Sequence, residues 1–548
     1  MSRLVQILAI ALGVHAIAHC APIATNTYVG SRVCSSCHQS IYKSFIKTDM
    51  GQSMRRASDS SLVNLPGEAT IQTGVERRSD RVYRDGEGWH QSQTEPNVFS
   101  EDYQLDYAIG SGRNGLTFLI QRGRFLFQAP LSYYSGAGNW GLSPGYENVD
   151  LGFTRVVPQG CTNCHSGRAQ GVATHSGEYR DPPFLELAIG CENCHGPGSA
   201  HVNSSGRTPG SIVNPAKLPA RRAEEICMNC HQRGDTRVLQ PGKTFSDFQP
   251  GHPLLETLAI FKVPNAPSTG DLLEHHEAMK ASRCFRASQG RLSCLTCHDP
   301  HTQPHGEEAV AYFRSKCLTC HTDASCRLSL PTRLAQHPAN NCIGCHMPKR
   351  DIRMISHSAL TNHTIPAVPS RAPVPEDAAD PSTGLILTNK PGGGTPIPLS
   401  DVTLLRAYAE LVPQYPEYRA RYLDLLARLG PSEKQERFVQ AALGDKALSE
   451  GKNEDALTHL NAAMSLDEAA IYRDIAQALN NLGRKDEAIA CLQKATTIYP
   501  YDPELNKTLI LNFIEAKRYA EARQGMENYV KVFPGDKFMR GLLARVSR

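Results

Sequence analysis

The distribution of apolar positions divides the chain into unlike parts. One long apolar run, Leu4 to Ala18, follows Arg3 and ends in Ala16-Ile17-Ala18, the small-residue pattern of a signal-peptidase site. It is shorter than the roughly 20 apolar residues of a membrane span and is interrupted by His15. Residues 1–18 therefore read as a cleaved export signal, with no transmembrane span in the mature chain and a periplasmic or otherwise extracytoplasmic destination. His19 stands where a lipid-anchored Cys20 would need a small residue. Further on, apolar residues alternate at Tyr103, Leu105, Tyr107 and Ile109, then at Leu116, Phe118 and Ile120, then at Phe125 and Phe127, with Gly-rich breaks between the runs. Period two predicts a small antiparallel β insert at about 99–135. The rest of 28–365 has few periodic segments. Residues 366–399 include Pro-Val-Pro-Glu, Lys-Pro-Gly-Gly-Gly and Pro-Ile-Pro, a composition that reads as a linker. From 400 to 548 the pattern turns helical.

The helical part repeats. Ala488 and Ala522, Pro500 and Pro534, and Asp502 and Asp536 are each 34 residues apart. Tyr472, Ile475, Ala476, Ala488, Leu492 and Ala495 form one unit. Leu509, Phe513, Ala522 and Met526 form the next, and Leu443, Gly444, Ala456, Leu460 and Ala463 an earlier, slightly short one. Period and residue classes resemble tetratricopeptide repeats, at about 437–468, 469–502 and 503–536. Small residues at these positions let paired helices approach and stack into an α-helical solenoid.

Composition changes the picture of the first part. Fourteen of the 18 cysteines fall in seven Cys-x-x-Cys-His pentads: Cys34, Cys37 and His38; Cys161, Cys164 and His165; Cys191, Cys194 and His195; Cys227, Cys230 and His231; Cys294, Cys297 and His298; Cys317, Cys320 and His321; Cys342, Cys345 and His346. Random placement would give about 0.02 such pentads. The chemistry that needs two thiols and a histidine at this spacing is covalent haem c: the thiols add to the vinyl groups and the histidine binds iron. Seven haems are the implied cofactors. A zinc ribbon from Cys294, Cys297, Cys317 and Cys320 would leave the histidine that follows every second cysteine unexplained. Haem attachment explains the scarcity of periodic segments, because porphyrins replace much of a side-chain core.

The formal charge of +4 gives no basic surface for nucleic acid once haem propionates are counted; the mature holoprotein comes to about −4 oxidised and about −11 reduced. The sixth iron ligands do not follow from the pentads. The pool outside them is His90, His175, His201, His252, His275, His276, His301, His305, His337, His357 and His363, with Met50 and Met54. It exceeds seven, so no iron need stay open. Cys284 and Cys326 remain over in the haem region and could join as a disulfide.

The segments Tyr28 to Met54, Gly190 to His201, Ser282 to His301, and Cys345 to Arg350 followed by His357 and Thr361-Asn362-His363 resemble the multihaem cytochrome c family with a C-terminal tetratricopeptide array. The haem part is similar to the superfamily of the tetrahaem cytochrome of ammonia oxidisers and the pentahaem nitrite reductases. The resemblance implies Met50 as the ligand opposite His38. It implies distal roles for His201 and His301, and also for His337, His357, His363, His175 and His276. The Cys-x-x-Cys-Lys pentad common at the catalytic haem of ammonia-forming nitrite reductases does not occur. Tyr133 and Tyr134 fit strand aromatics better than a haem crosslink.

The sequence thus predicts a mainly α protein: a haem-packed domain of little regular structure with a small β insert, then the solenoid. The function it implies is electron transfer along the haem chain, with a redox partner protein docked on the repeats. The alternative is a multihaem oxidoreductase of a small nitrogen or sulfur compound at a five-coordinate haem.

Overall fold

The computed structural model describes residues 26–75, 77–147, 149–172, 177–264, 274–349, 361–367, 380, 382–390, 398–464 and 468–546. The predicted export signal, most of the predicted linker, His175 and His357 lie outside the described residues.

Strand structure begins well before residue 99. The strands Glu68–Gln72, Ser79–Arg84, Trp89–Glu95 and Phe99–Gln104 form one antiparallel sheet in chain order. Met54–Arg56, Tyr107–Ile109, Gly115–Arg122, Phe125–Gln128, Leu131–Tyr134 and Asn139–Leu142 form a second, with Met54 opposite Ile109 and Ile120 opposite Phe127. Between them lies a core of Trp89, Leu116, Phe118, Phe127, Leu131, Trp140 and Phe153. The earlier strands escape a hydrophobic reading because the buried face of Trp89–Glu95 is mostly polar: Gln91, Gln93 and Glu95 point inward. Each is satisfied there. Gln91 Nε2 donates to Leu131 O at 2.8 Å, and its Oε1 accepts from Leu131 N at 2.9 Å. Gln93 Nε2 donates to Asp80 Oδ1 at 2.8 Å, and Glu95 accepts from Arg78 at 2.8 Å. A buried polar group with partners costs little; without them it costs about 1–3 kcal/mol.

Asp80 belongs to this network, and burial pushes its carboxyl up from 3.8 to about 7. The folded state keeps a proton there while the unfolded chain has released it, so this group's contribution to stability falls as pH rises from about 4 to 7. At most it amounts to something on the order of 4 kcal/mol. Asp80→Asn is expected to remove that fall, so the gap in thermal midpoint between variant and wild type should widen from pH 4 to 7; a constant gap would contradict the assignment.

Beyond the insert the chain runs mainly in short helices and loops around the other six pentads, the first, Cys34–His38, lying before it. A small sheet, Thr236–Leu239, Leu258–Lys262 and Ile386–Leu387, is built partly from the predicted linker, with Phe261 opposite Leu387. Asn389, fully buried, donates to Leu258 O at 2.6 Å and accepts from Ile260 N at 3.0 Å. Leu385 is 1% exposed. A Pro/Gly-rich composition hid a segment that docks by backbone pairing.

The helical part starts with Asp401–Leu411 and Tyr418–Arg428, followed by three hairpins: Arg437–Ser449 with Asn453–Ala463, Ala469–Asn481 with Lys485–Ile498, and Pro503–Glu515 with Tyr519–Val532; Lys537–Val546 closes the array. Ala456, Ala463, Ala476, Ala488 and Ala495 are fully buried where helices cross, and a Cβ on Gly444 would meet Leu460 at 2.6 Å. The array rests on the haem region at both ends. Leu405, Tyr408 and Leu425 share a core with Val238, Leu255 and Phe261. At the far end the Tyr501 ring lies 4.8 Å from that of Phe127, and Arg78 donates to Gly535 O at 2.9 Å.

Candidate haem-binding region

Most pentads occupy or end a short helix, among them Gln159–His165, Glu192–His195, Ala220–His231, Cys294–Cys297 and Cys342–His346. The turn explains the spacing. The histidine amide donates to the carbonyl of the first cysteine in His38 to Cys34 (2.9 Å), His195 to Cys191 (3.0 Å), His298 to Cys294 (2.9 Å) and His321 to Cys317 (3.0 Å). Residues i and i+4 share one helix face, so both thiols and the imidazole can address one flat group.

Away from the backbone, imidazoles from distant segments come face to face. His38 and His201 have ring centroids 6.3 Å apart with planes 16° from parallel. His195 and His301 stand 6.0 Å apart at 19°, and His298 and His363 stand 6.3 Å apart at 34°. Two metal–nitrogen bonds of about 2 Å in line, plus the offset of each nitrogen from its ring centre, come to roughly 6 Å. Direct ring packing is closer, as in His275 and His363 at 4.6 Å. His231 faces His275 at 5.5 Å with the rings nearly perpendicular.

The other ring nitrogen is tethered in several of these residues. Nδ1 of His195 lies 2.7 Å from Val213 O, that of His346 2.8 Å from Pro366 O, and that of His363 2.9 Å from Thr361 O. A carbonyl can only accept, so each Nδ1 carries the proton and Nε2 keeps its lone pair for a metal. His301 Nδ1 lies 3.0 Å from an Asp299 carboxylate oxygen, a partner that makes the imidazole a stronger donor to iron. Burial lowers the pKa of His195, His231 and His363; with the neighbouring histidines it takes His298 to about 4 and His275 to about 3. All are neutral at pH 7, the form that binds metal.

Of these histidines His231, His275, His298 and His363 line a cavity of about 2170 Å³, bounded also by Cys161, Cys164, His165, Cys227, Cys230, Cys294 and Cys297. Small-molecule pockets run to about 300–1,000 Å³, so this space suits several large flat groups. Its wall includes buried Asn163 Nδ2, Arg237 Nε and His275 Nδ1, which have no hydrogen-bond partner among the described residues. The first two suit propionate carboxylates. Haem therefore fits the residues present.

The distal candidates fall unevenly. His201, His301 and His363 meet pentad histidines as above. His276 does not: it is 4% exposed and bonded to Glu224 and Glu277, each at 3.3 Å, and to Arg221 at 2.9 Å. Its neighbour His275, left undistinguished in the sequence pool, takes the place facing His231. Met50 half-lines the cavity, but the ring opposite His38 is that of His201, not the thioether. Met50→Leu is therefore expected to leave the highest midpoint potential unchanged in a redox titration; a drop would put the thioether on iron. His337 and His321 are both exposed. Cys284 and Cys326 are free thiols, without the bridge between them.

No protein-family model matches the chain. It is 25% identical over 177 residues, 30% of its own length, to the C-type polyheme cytochrome OmcB of two strains of Geobacter sulfurreducens. Over that stretch the chain is similar to a multihaem c-type cytochrome. It spans only 22% of the length of those relatives. Among solved structures, the outer cell wall cytochrome OcwA aligns with 86% of this chain and 99% of its own at 14% identity and a TM-score of 0.40. The Arabidopsis OM64 TPR domain aligns with 20% of this chain and 93% of its own at 19% identity and a TM-score of 0.19. No helix among the described residues is long and apolar enough to cross a membrane.

Proposed function

We propose that this chain is an exported seven-haem c-type cytochrome that carries electrons along its haems. The observation that supports it most is the set of imidazole pairs at 6.0–6.3 Å, each joining a pentad histidine to a histidine far away in sequence. In this reading the fourteen pentad cysteines anchor haem and His38, His165, His195, His231, His298, His321 and His346 bind iron from one side. His201, His301, His275 and His363 bind the first, third, fourth and fifth irons from the other. For the second, sixth and seventh irons the sequence pool leaves His175, His337 and His357.

Haem supplies the one-electron couple; the protein supplies the rest. The pentad thiols would anchor each haem, and the paired histidines would hold its iron in one ligand set in either oxidation state. The hydrogen-bonded Nδ1 atoms hold each ring in place and set its donor strength.

The helical array, which has no pentad, serves in this reading to dock a redox partner protein. It exposes Tyr519 and Phe538, at 59% and 67% of their surface. Intact mass under denaturing conditions tests the cofactor claim: seven covalent haem increments are expected after expression with a working cytochrome-maturation system, and six or fewer would refute the count. A five-coordinate haem would instead favour an oxidoreductase.

A further inference from the structure

The order of the pentads in space differs from their order in the chain. The first meets the third: Ser31 Oγ, three residues before Cys34, accepts from Cys191 N at 2.8 Å. Glu192 ties the same two segments, its carboxylate accepting from Gly30 N at 2.7 Å. The second meets the fourth: the Cys164 thiol donates to Asn229 O at 3.7 Å. The fourth meets the fifth through the rings of His275 and His363, 4.6 Å apart, and Cys227, Cys230, Cys294 and Cys297 line the same cavity. Cys194 of the third packs against the cluster of Ile226 and Met228, on the helix Ala220–His231 that carries the fourth. Cys317 of the sixth ends the helix Gly306–Cys317, which packs against Cys294–Cys297 of the fifth and Cys342–His346 of the seventh, leading outward.

Thiols carry the vinyl edge of a porphyrin, so pentads packed together bring their haem edges together. Resting on the seven-haem reading, we propose that the haems form a fork with the Cys227–His231 haem at its junction. One arm is the Cys161–His165 haem, a second runs through Cys191–His195 to Cys34–His38, and the stem leaves through the fifth, sixth and seventh. The backbone of the second pentad does come near the segment entering the third, since Ser53 Oγ donates to His165 O and accepts from Ile189 N, both at 3.0 Å. Its thiol, however, meets the fourth. Each hop oxidises one ferrous iron and reduces one ferric iron, with no bond made or broken. Two arms that join before the stem let electrons enter at separate faces and share one exit.

The test uses the holoprotein with one haem marked and another removed. His275→Met marks the junction and His201→Met the end of the long arm, each by raising a single midpoint potential, since a thioether favours ferrous iron. Cys161→Ala with Cys164→Ala then removes the second haem, verified by the loss of one haem increment in mass. The fork predicts that this removal shifts the junction potential and leaves that of the first haem in place. A file in sequence order predicts a shift at the first haem, next to the second, and none at the fourth; that result would overturn the proposal. If the double variant does not fold, His165→Met keeps both thioether bonds and is expected to move the same marked potential. A protein with fewer than seven haems in the mass measurement would refute the earlier reading instead.

Discussion

His275→Ala is expected to convert one haem from low-spin to high-spin, while His276→Ala leaves every haem low-spin and weakens the fold. The two residues are neighbours in sequence, and adjacent positions on a helix point about 100° apart. His275 opens the helix His275–Lys280 with its ring toward His231, 5.5 Å away. Loss of that ring leaves the Cys227–Cys230 haem with one protein ligand on iron. His276 lies on the other side, among Glu224, Glu277 and Arg221. Burial works against its cation, but the two carboxylates more than offset this and raise its pKa. Removing it takes the buried His276 cation from Glu224, while Glu277 keeps Lys280 at 3.6 Å, a loss of about 3–5 kcal/mol. Electron paramagnetic resonance and thermal unfolding of both variants separate the two roles. A high-spin signal from His276→Ala and none from His275→Ala would reverse the assignment.

A chain ended at Leu399 is expected to lose the haem domain, and one ended at Gly451 to keep it. Composition alone would make the boundary at about 400 a clean cut. The packing does not: Leu405, Tyr408, Leu411, Leu425 and Leu426 are at most 2% exposed and belong to the core that contains Val238, Leu255 and Phe261. Each large apolar side chain removed from such a core costs about 1.5–3 kcal/mol, so five together reach about 7–15 kcal/mol. That matches the whole net stability of a domain, about 5–15 kcal/mol. The chain ended at Gly451 keeps these helices and loses the far contacts, chiefly Tyr501 on Phe127 and Arg78 on Gly535. Soluble yield and thermal unfolding followed by haem absorbance measure the difference. Equal midpoints for the two truncations would show that the helices do not cover this core.

Which features the sequence reveals follows from how local their causes are. A pentad is one helical turn, so its spacing is written directly in the chain. The 34-residue period is similarly local, because each hairpin needs small residues at fixed offsets, as at Ala488 and Ala495. The strand Trp89–Glu95 is different: after Trp89 its buried face is glutamine and glutamate, stabilised by Leu131 and Asp80 from other strands and by Arg78 just before one. Hydrophobic periodicity has no signal for that. Ile386–Leu387 was masked by the prolines and glycines around it, though it pairs with Leu258–Lys262. The distal ligands are the least local of all. His201 and His301 stand 163 and 106 residues from the histidines they face, and choosing between His275 and His276 requires knowing which way one helix is turned.

Those facing imidazoles carry the functional account, since a wire of six-coordinate haems has no open iron on which to do chemistry. The electron paramagnetic resonance spectrum of the oxidised holoprotein, integrated against total haem, tests this most directly. The account predicts that low-spin ferric signals account for all seven irons and that added cyanide leaves the spectrum unchanged on mixing. A high-spin component equal to one iron or more, converted on mixing with cyanide, would contradict it.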